Sequence, residues 1–115
     1  MAEDCIFCRI ASGDIEANIV HEDEHTVAFR DLDQKAPVHV LVIPRRHIAS
    51  IDAARDEDRD TMGALFLAAR DIARAEGVAE DGYRVVMNTG TAAGQSVHHA
   101  HLHVLAGRHM SWPPG

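Results

Sequence analysis

Hydrophobic positions change their period along the chain, and each change predicts an element. Ile6, Phe7 and Ile10 fall on one side of a short helical turn over Cys5–Ile10, and Gly13 can end that turn in the left-handed conformation. Asn18–Glu22 and Thr26–Arg30 read as two short strands joined by the polar turn Asp23-Glu24-His25, which makes a hairpin. Val38–Pro44 is dense in β-branched residues and bounded by Pro37 and Pro44, the pattern of a strand buried on both faces. Met62, Leu65, Phe66, Ala69, Ile72 and Ala73 then recur at helical spacing. The acidic cluster Asp56–Asp60 suits the positive end of that helix, and Gly77 supplies its stop. Tyr83–Asn88 reads as a further strand, followed by the small-residue loop Thr89–Gly94, Gln95, Ser96 and a last strand from Val97 to about Ala106. Strands arriving as hairpins with one long helix predict an α+β fold: a five-stranded antiparallel sheet, one long helix and a short N-terminal helix.

Composition narrows the partners. The 115 residues and 12.6 kDa are one domain's worth, so residues 1–115 are expected to form a single unit. A hydrophobic content of 46% with 25% charged residues is ordinary for a globular chain and excludes disordered and collagen-like readings. A formal charge of -7 repels polyanions, and aromatics at 4% are too scattered to stack successive bases, so no nucleic-acid partner is expected. The apolar runs Val40–Ile43 and Ala64–Ala69 fall far short of the roughly 20 residues that cross a bilayer. The start Met1-Ala2-Glu3-Asp4-Cys5 is acidic where an export signal would be basic and then apolar. A cytoplasmic protein with no membrane partner is therefore expected, its two cysteines remaining thiols or binding metal.

Histidine is the unusual component: of nine copies, five lie between His98 and His109. On an extended strand His99, His101 and His103 share one face, with His98, Ala100, Leu102 and Val104 on the other. At ~3.3 Å of rise per residue, neighbours in that row sit about 6.7 Å apart and the ends about 13 Å. A first-row ion, which binds imidazole at roughly 2.0 to 2.1 Å, cannot take all three. The row suits a ligand with several acceptor oxygens, such as a phosphate chain. A single histidine of this kind is ordinarily a satisfied core residue, but three in alternation are not. The preceding Gly90–Gln95 loop lets backbone N–H groups approach an anion, and Ser96 adds a hydroxyl beside it.

The segment His99-Ala100-His101-Leu102-His103-Val104-Leu105 resembles the motif of the histidine triad family. Cys5-Ile6-Phe7-Cys8, Ala28-Phe29-Arg30-Asp31, Pro37–Pro44 and Gly94-Gln95-Ser96-Val97 support the likeness along the whole chain. The terminus Trp112-Pro113-Pro114-Gly115 is similar to the Hint branch, the purine nucleoside phosphoramidases. The resemblance implies a hydrolase that cleaves the P–N bond of purine nucleoside 5′-phosphoramidates, with His101 attacking the α-phosphorus to form a nucleotidyl-histidine. An imidazole suits this role, being largely neutral at cytosolic pH and a good leaving group once phosphorylated. His103 and His99 would flank the nucleophile, with His103 on the phosphoryl oxygens. Asn88 and Ser96 would contact the phosphate or leaving group, and Gln95 would shape the loop within the nucleotide site. Asp31 matches the carboxylate that grips the ribose hydroxyls, while Ile6, Phe7, Ile10 and Leu32 match the apolar slot for the purine. His39 is read as a hydrogen-bonded histidine supporting the catalytic set.

Cys5-x-x-Cys8 by itself is two thiols on a helical turn, without the preceding strand of a redox unit. Microbial relatives carrying this pair imply a structural zinc held by Cys5, Cys8, His47 and His99, a closed tetrahedral set needing no part in catalysis. The resemblance also implies a homodimer, two sheets joining through Tyr83–Asn88 and the long helix into ten strands. Glu16 and His98 depart from the family pattern, standing where a proline and an aromatic residue are common. The competing readings are dinucleoside polyphosphate hydrolysis or nucleotidyl transfer, and a nucleotide- or zinc-binding module that turns over little.

Overall fold

A computed structural model describes residues 4–115; Met1, Ala2 and Glu3 of the acidic start lie outside the described residues. The first helix, α1 (Ile6–Ser12), begins at Cys5 and ends at Gly13, whose φ of 86° lets its N–H turn back onto the Arg9 and Ile10 carbonyls. The strands β1 (Ile19–Glu22) and β2 (Thr26–Arg30) form the expected hairpin. Asp23 fixes its turn, accepting from the His25 and Thr26 amides at 2.8 and 2.9 Å and from the Thr26 hydroxyl at 2.7 Å. Next come β3 (Val38–Pro44), the long helix α2 (Arg59–Ala75), β4 (Tyr83–Val86) and β5 (Leu102–Ala106). All pairings are antiparallel, in the order β1-β2-β3-β5-β4. The expected five-stranded α+β fold is thus the observed one.

Strand parity divides the sheet between two apolar layers. Ala28, Val40, Val42, Leu102 and Val104 pack under Leu65, Ala68, Ala69 and Ile72 of α2. Val27, Phe29, Leu41 and Ile43 pack on the opposite face with Phe7 and Ile10 of α1. This is why β3, sandwiched between both layers, carries hydrophobic residues without alternation. Cross-strand register sets Leu41 opposite His103 and His39 opposite Leu105, so these side chains project on the α1 side, where the long helix leaves room.

Two elements differ from expectation. β4 stops at Val86, short of Asn88. β5 begins only at Leu102 and residues 97–99 form a bend, so the evenly spaced row of three imidazoles does not form. The β3–β5 ladder ends at the pair Val42–Leu102. Where it would continue, the Pro44 carbonyl instead accepts from the His99 ring at 2.9 Å, and the Ala100 N–H donates to Ile48 at 2.7 Å. Side-chain bonding has replaced a sheet ladder, an alternative that periodicity does not register.

Candidate functional site

The bend before β5 sends the triad side chains in different directions. His99 is fully buried and turned from the main cavity. Its Nε2–H donates to Pro44, which leaves the Nδ1 lone pair facing Cys5 Sγ at 3.3 Å, Cys8 Sγ at 3.5 Å and His47 Nδ1 at 3.2 Å. Cys8 Sγ is also 3.3 Å from His47 Nδ1, and Cys5, Cys8, His47 and His99 offer ligand atoms all within 4.8 Å of one another. A tetrahedral zinc with ordinary bond lengths sets S···N and N···N separations at about 3.4 to 3.6 Å, so this donor set fits such an ion. Burial, with Cys5 adjacent, pushes the Cys8 thiol up to about 11, a shift that a bound cation would oppose.

His101 stays with the cavity. Its Nδ1–H donates to the His99 carbonyl at 2.7 Å, and the remaining nitrogen, Nε2, therefore carries a lone pair. Phe7 packs edge-on against this ring at 5.2 Å and against His99 at 5.9 Å.

His103, the first triad member inside β5, has the opposite polarity. The Lys35 main-chain N–H donates to His39 Nδ1 at 3.0 Å, so the His39 proton sits on Nε2, which donates to His103 Nδ1 at 2.9 Å. The proton of neutral His103 is thereby assigned to Nε2. Burial, reinforced by neighbouring His101 and His39, lowers His103 to about 4, so it is a neutral donor near pH 7. Burial also lowers His39, against the pull of Asp31, whose Oδ2 lies 3.4 Å from His39 Nε2. Asp31, His39 and His103 are close enough to hold an ion, but the proton on His39 Nε2 occupies the position a metal would need.

These groups open into a cavity of about 740 Å³. Ile6, Phe7, Ile10 and Phe29 line its apolar end; Asp31 and Leu32 stand at one wall; Asn88, Ser96, His39, His101 and His103 line the remainder. Leu32 is otherwise fully exposed. The Asp31 main-chain N–H is tied to the His39 carbonyl, and Oδ1 accepts from the Asp33 N–H, which leaves Oδ2 as the free acceptor. Two expected residues do not line the cavity. His99 faces the cysteines, and Gln95 is buried behind the loop, accepting from the Gly90 N–H and donating to the Ala49 and Val97 carbonyls. Leu41, Ile15 and Ala17 complete the apolar wall. Leu41 was readable from its shared strand face with His39, whereas the Lys35 main-chain donor leaves no mark in the sequence.

Residues 12–110 match the HIT domain family. The chain belongs to that family. An uncharacterised HIT-like protein of Synechococcus elongatus is 50% identical over the full length of both chains, and one of Synechocystis is 47% identical over the same span. Among solved structures, a HIT family hydrolase from Legionella pneumophila is 47% identical with a TM-score of 0.95, covering 97% of this chain and 100% of that one. A histidine triad nucleotide-binding protein from Candida albicans is 30% identical with a TM-score of 0.83, covering 96% of this chain and 83% of that one. In this HIT domain the triad is three histidines with three proton arrangements: one bare nitrogen toward the cysteines, one toward the cavity, and one N–H beside it.

Proposed function

We propose that this HIT protein is a hydrolase that splits the P–N bond of purine nucleoside 5′-phosphoramidates. The observation that carries the reading is the opposed polarity of two adjacent rings. His101 offers an Nε2 lone pair and His103 an Nε2–H, their centroids 5.0 Å apart on one cavity wall. His101 Nε2 attacks the α-phosphorus as the P–N bond breaks, and the Ser96 hydroxyl donates its proton to the departing amine and recovers one from solvent. His103 donates to the phosphoryl oxygen where charge builds. Water then displaces the imidazole and releases the nucleoside monophosphate. Asp31 Oδ2 accepts from the ribose hydroxyls, Asn88 contacts the phosphate, and Ile6, Phe7, Ile10 and Leu32 hold the purine. The nucleotide-binding name of the Candida relative and the hydrolase name of the Legionella relative support this class of substrate and reaction.

Cys5, Cys8, His47 and His99 would hold a structural zinc, which supplies no activated water because all four ligand positions are filled by protein. The active form is a homodimer joined through β4 and α2. Support comes from the edge position of β4 and from exposed Phe66, Leu67 and Tyr83.

The deciding assay compares adenosine 5′-phosphoramidate and a lysine-linked adenylate with diadenosine polyphosphates. Wild type should turn over the P–N substrates preferentially, and His101→Ala should lose at least about 10⁴-fold. Preference for the polyphosphates would overturn the bond assignment, and full turnover by His101→Ala would overturn the nucleophile.

A further inference from the structure

His99 takes part in two structures that have no other bond in common. Its side chain completes the Cys5, Cys8, His47 donor set, and its main-chain carbonyl is the acceptor that keeps the His101 proton on Nδ1. That carbonyl is not held by the sheet, because β5 starts three residues later. Among the described residues, the main-chain bond that anchors the bend outside the strand ladder runs from Ala100 to Ile48. The His99 carbonyl and the Ala100 N–H share one planar peptide, so its direction is set by that bond to Ile48, next to His47, and by the His99 ring, gripped at Nε2 by Pro44 and at Nδ1 by the sulfur and imidazole cluster. Pro44, His47 and Ile48 all lie at or just beyond the end of β3. The ring, once tied to that segment, carries the carbonyl with it. Phe7 adds a third link, because it touches both His99 and His101 from the helix that Cys5 and Cys8 tether.

We propose that His99 is a positioning residue through which zinc held by Cys5, Cys8 and His47 fixes the tautomer and direction of the nucleophilic His101 ring. The inference rests on the functional reading of His101 and extends it. The zinc-bearing set is then more than a clamp on α1: with the ion in place the carbonyl of residue 99 has one orientation, His101 keeps its proton on Nδ1, and Nε2 stays aimed at the cavity. Without the ion the buried thiols and imidazoles must rearrange into hydrogen bonds of their own, the His99 ring and the His47–Ile48 segment lose their shared tie, and the residue 99 peptide is held less firmly. His101 then exchanges its proton between both nitrogens, and the fraction of molecules with a productive lone pair falls.

The test uses full-length protein labelled with ¹⁵N in its histidines, zinc-loaded and then stripped with a chelator. Long-range ¹H–¹⁵N spectra report the His101 tautomer, calorimetry reports AMP binding, and single-turnover kinetics report the chemical step. The expected result is one Nδ1–H tautomer with zinc, an averaged ring without it, and a chemical step slowed about 10- to 100-fold. Cys8→Ser, which removes one ligand and leaves the apolar side of α1 intact, should reproduce the averaged ring and takes over if stripping melts the helix. A stripped, folded protein that loses AMP affinity while His101 keeps a single tautomer would assign the metal to α1 alone and overturn the proposal. Wild type that binds no zinc would overturn it as well. A zinc-dependent tautomer in a protein whose His101→Ala form still turns over would leave the coupling standing and remove only the functional reading.

Discussion

The three triad histidines differ less in sequence than in what holds their second nitrogen. Pro44 fixes His99, the His99 carbonyl fixes His101, and His39 fixes His103 from the neighbouring strand on the same face of the sheet. The protons of His99 and His103 are thus decided by groups outside the triad, and that of His101 by the main chain of its triad neighbour. A pH prediction follows for His103, which burial first, and then His101 and His39, bring to about 4 from 6.5. Because its folded pKa is depressed, the unfolded chain binds the proton more readily between those values. Stability contributed by keeping His103 neutral is therefore complete above about 6.5, declines as pH falls, and is fully lost below about 4. Chemical denaturation of wild type and His103→Phe between pH 7 and 4 should show the wild type losing more stability on acidification. Equal slopes would contradict the assignment. The roles of these rings were only partly legible in the sequence. Alternation picked out His99, His101 and His103 as a group, but it placed all three on one face, because nothing in the residue pattern shows that Gln95 and His99 use side-chain bonds to bend the chain before β5.

Elements were easier to read than their ends. The long helix announced itself by Met62, Leu65, Ala69, Ile72 and Ala73, and β3 by its unbroken apolar run, since both signals report burial directly. The boundaries of β4 and β5 depend on which carbonyls find other donors, and that is a tertiary matter. Glycine marks one boundary clearly: after β5, Gly107 adopts a φ of 93°, and a Cβ there would come within 2.9 Å of Pro37. Packing between α2 and the sheet carries much of the stability. Leu65 is fully buried against Val40, Val42, Leu102 and Val104, and Leu65→Ala should cost about 2 to 5 kcal/mol by urea denaturation. A loss under about 1 kcal/mol would show that the helix is not tightly packed on these strands.

At the scale of the whole molecule, the sheet divides labour between its faces. The α2 side is a sealed apolar layer, while the α1 side holds the cavity, the four histidines 39, 99, 101 and 103, and the cysteine set. The edge strand β4 and the outward residues Phe66 and Leu67, each more than half exposed, are what the proposed dimer would cover. Light scattering should give twice the mass of the 12.6 kDa chain for wild type, and Phe66→Glu with Leu67→Glu should shift it toward the monomer. A monomeric wild type would refute the dimer. The proposed chemistry stands on His101 becoming bonded to phosphorus during turnover. The most direct measurement is rapid-quench mass spectrometry of wild type and His103→Ala mixed with adenosine 5′-phosphoramidate. The expected result is a transient adenylyl adduct on the peptide carrying His101, formed about 10² to 10³ times more slowly in His103→Ala. Full turnover with no adduct at any quench time, or an adduct on a different residue, would contradict it.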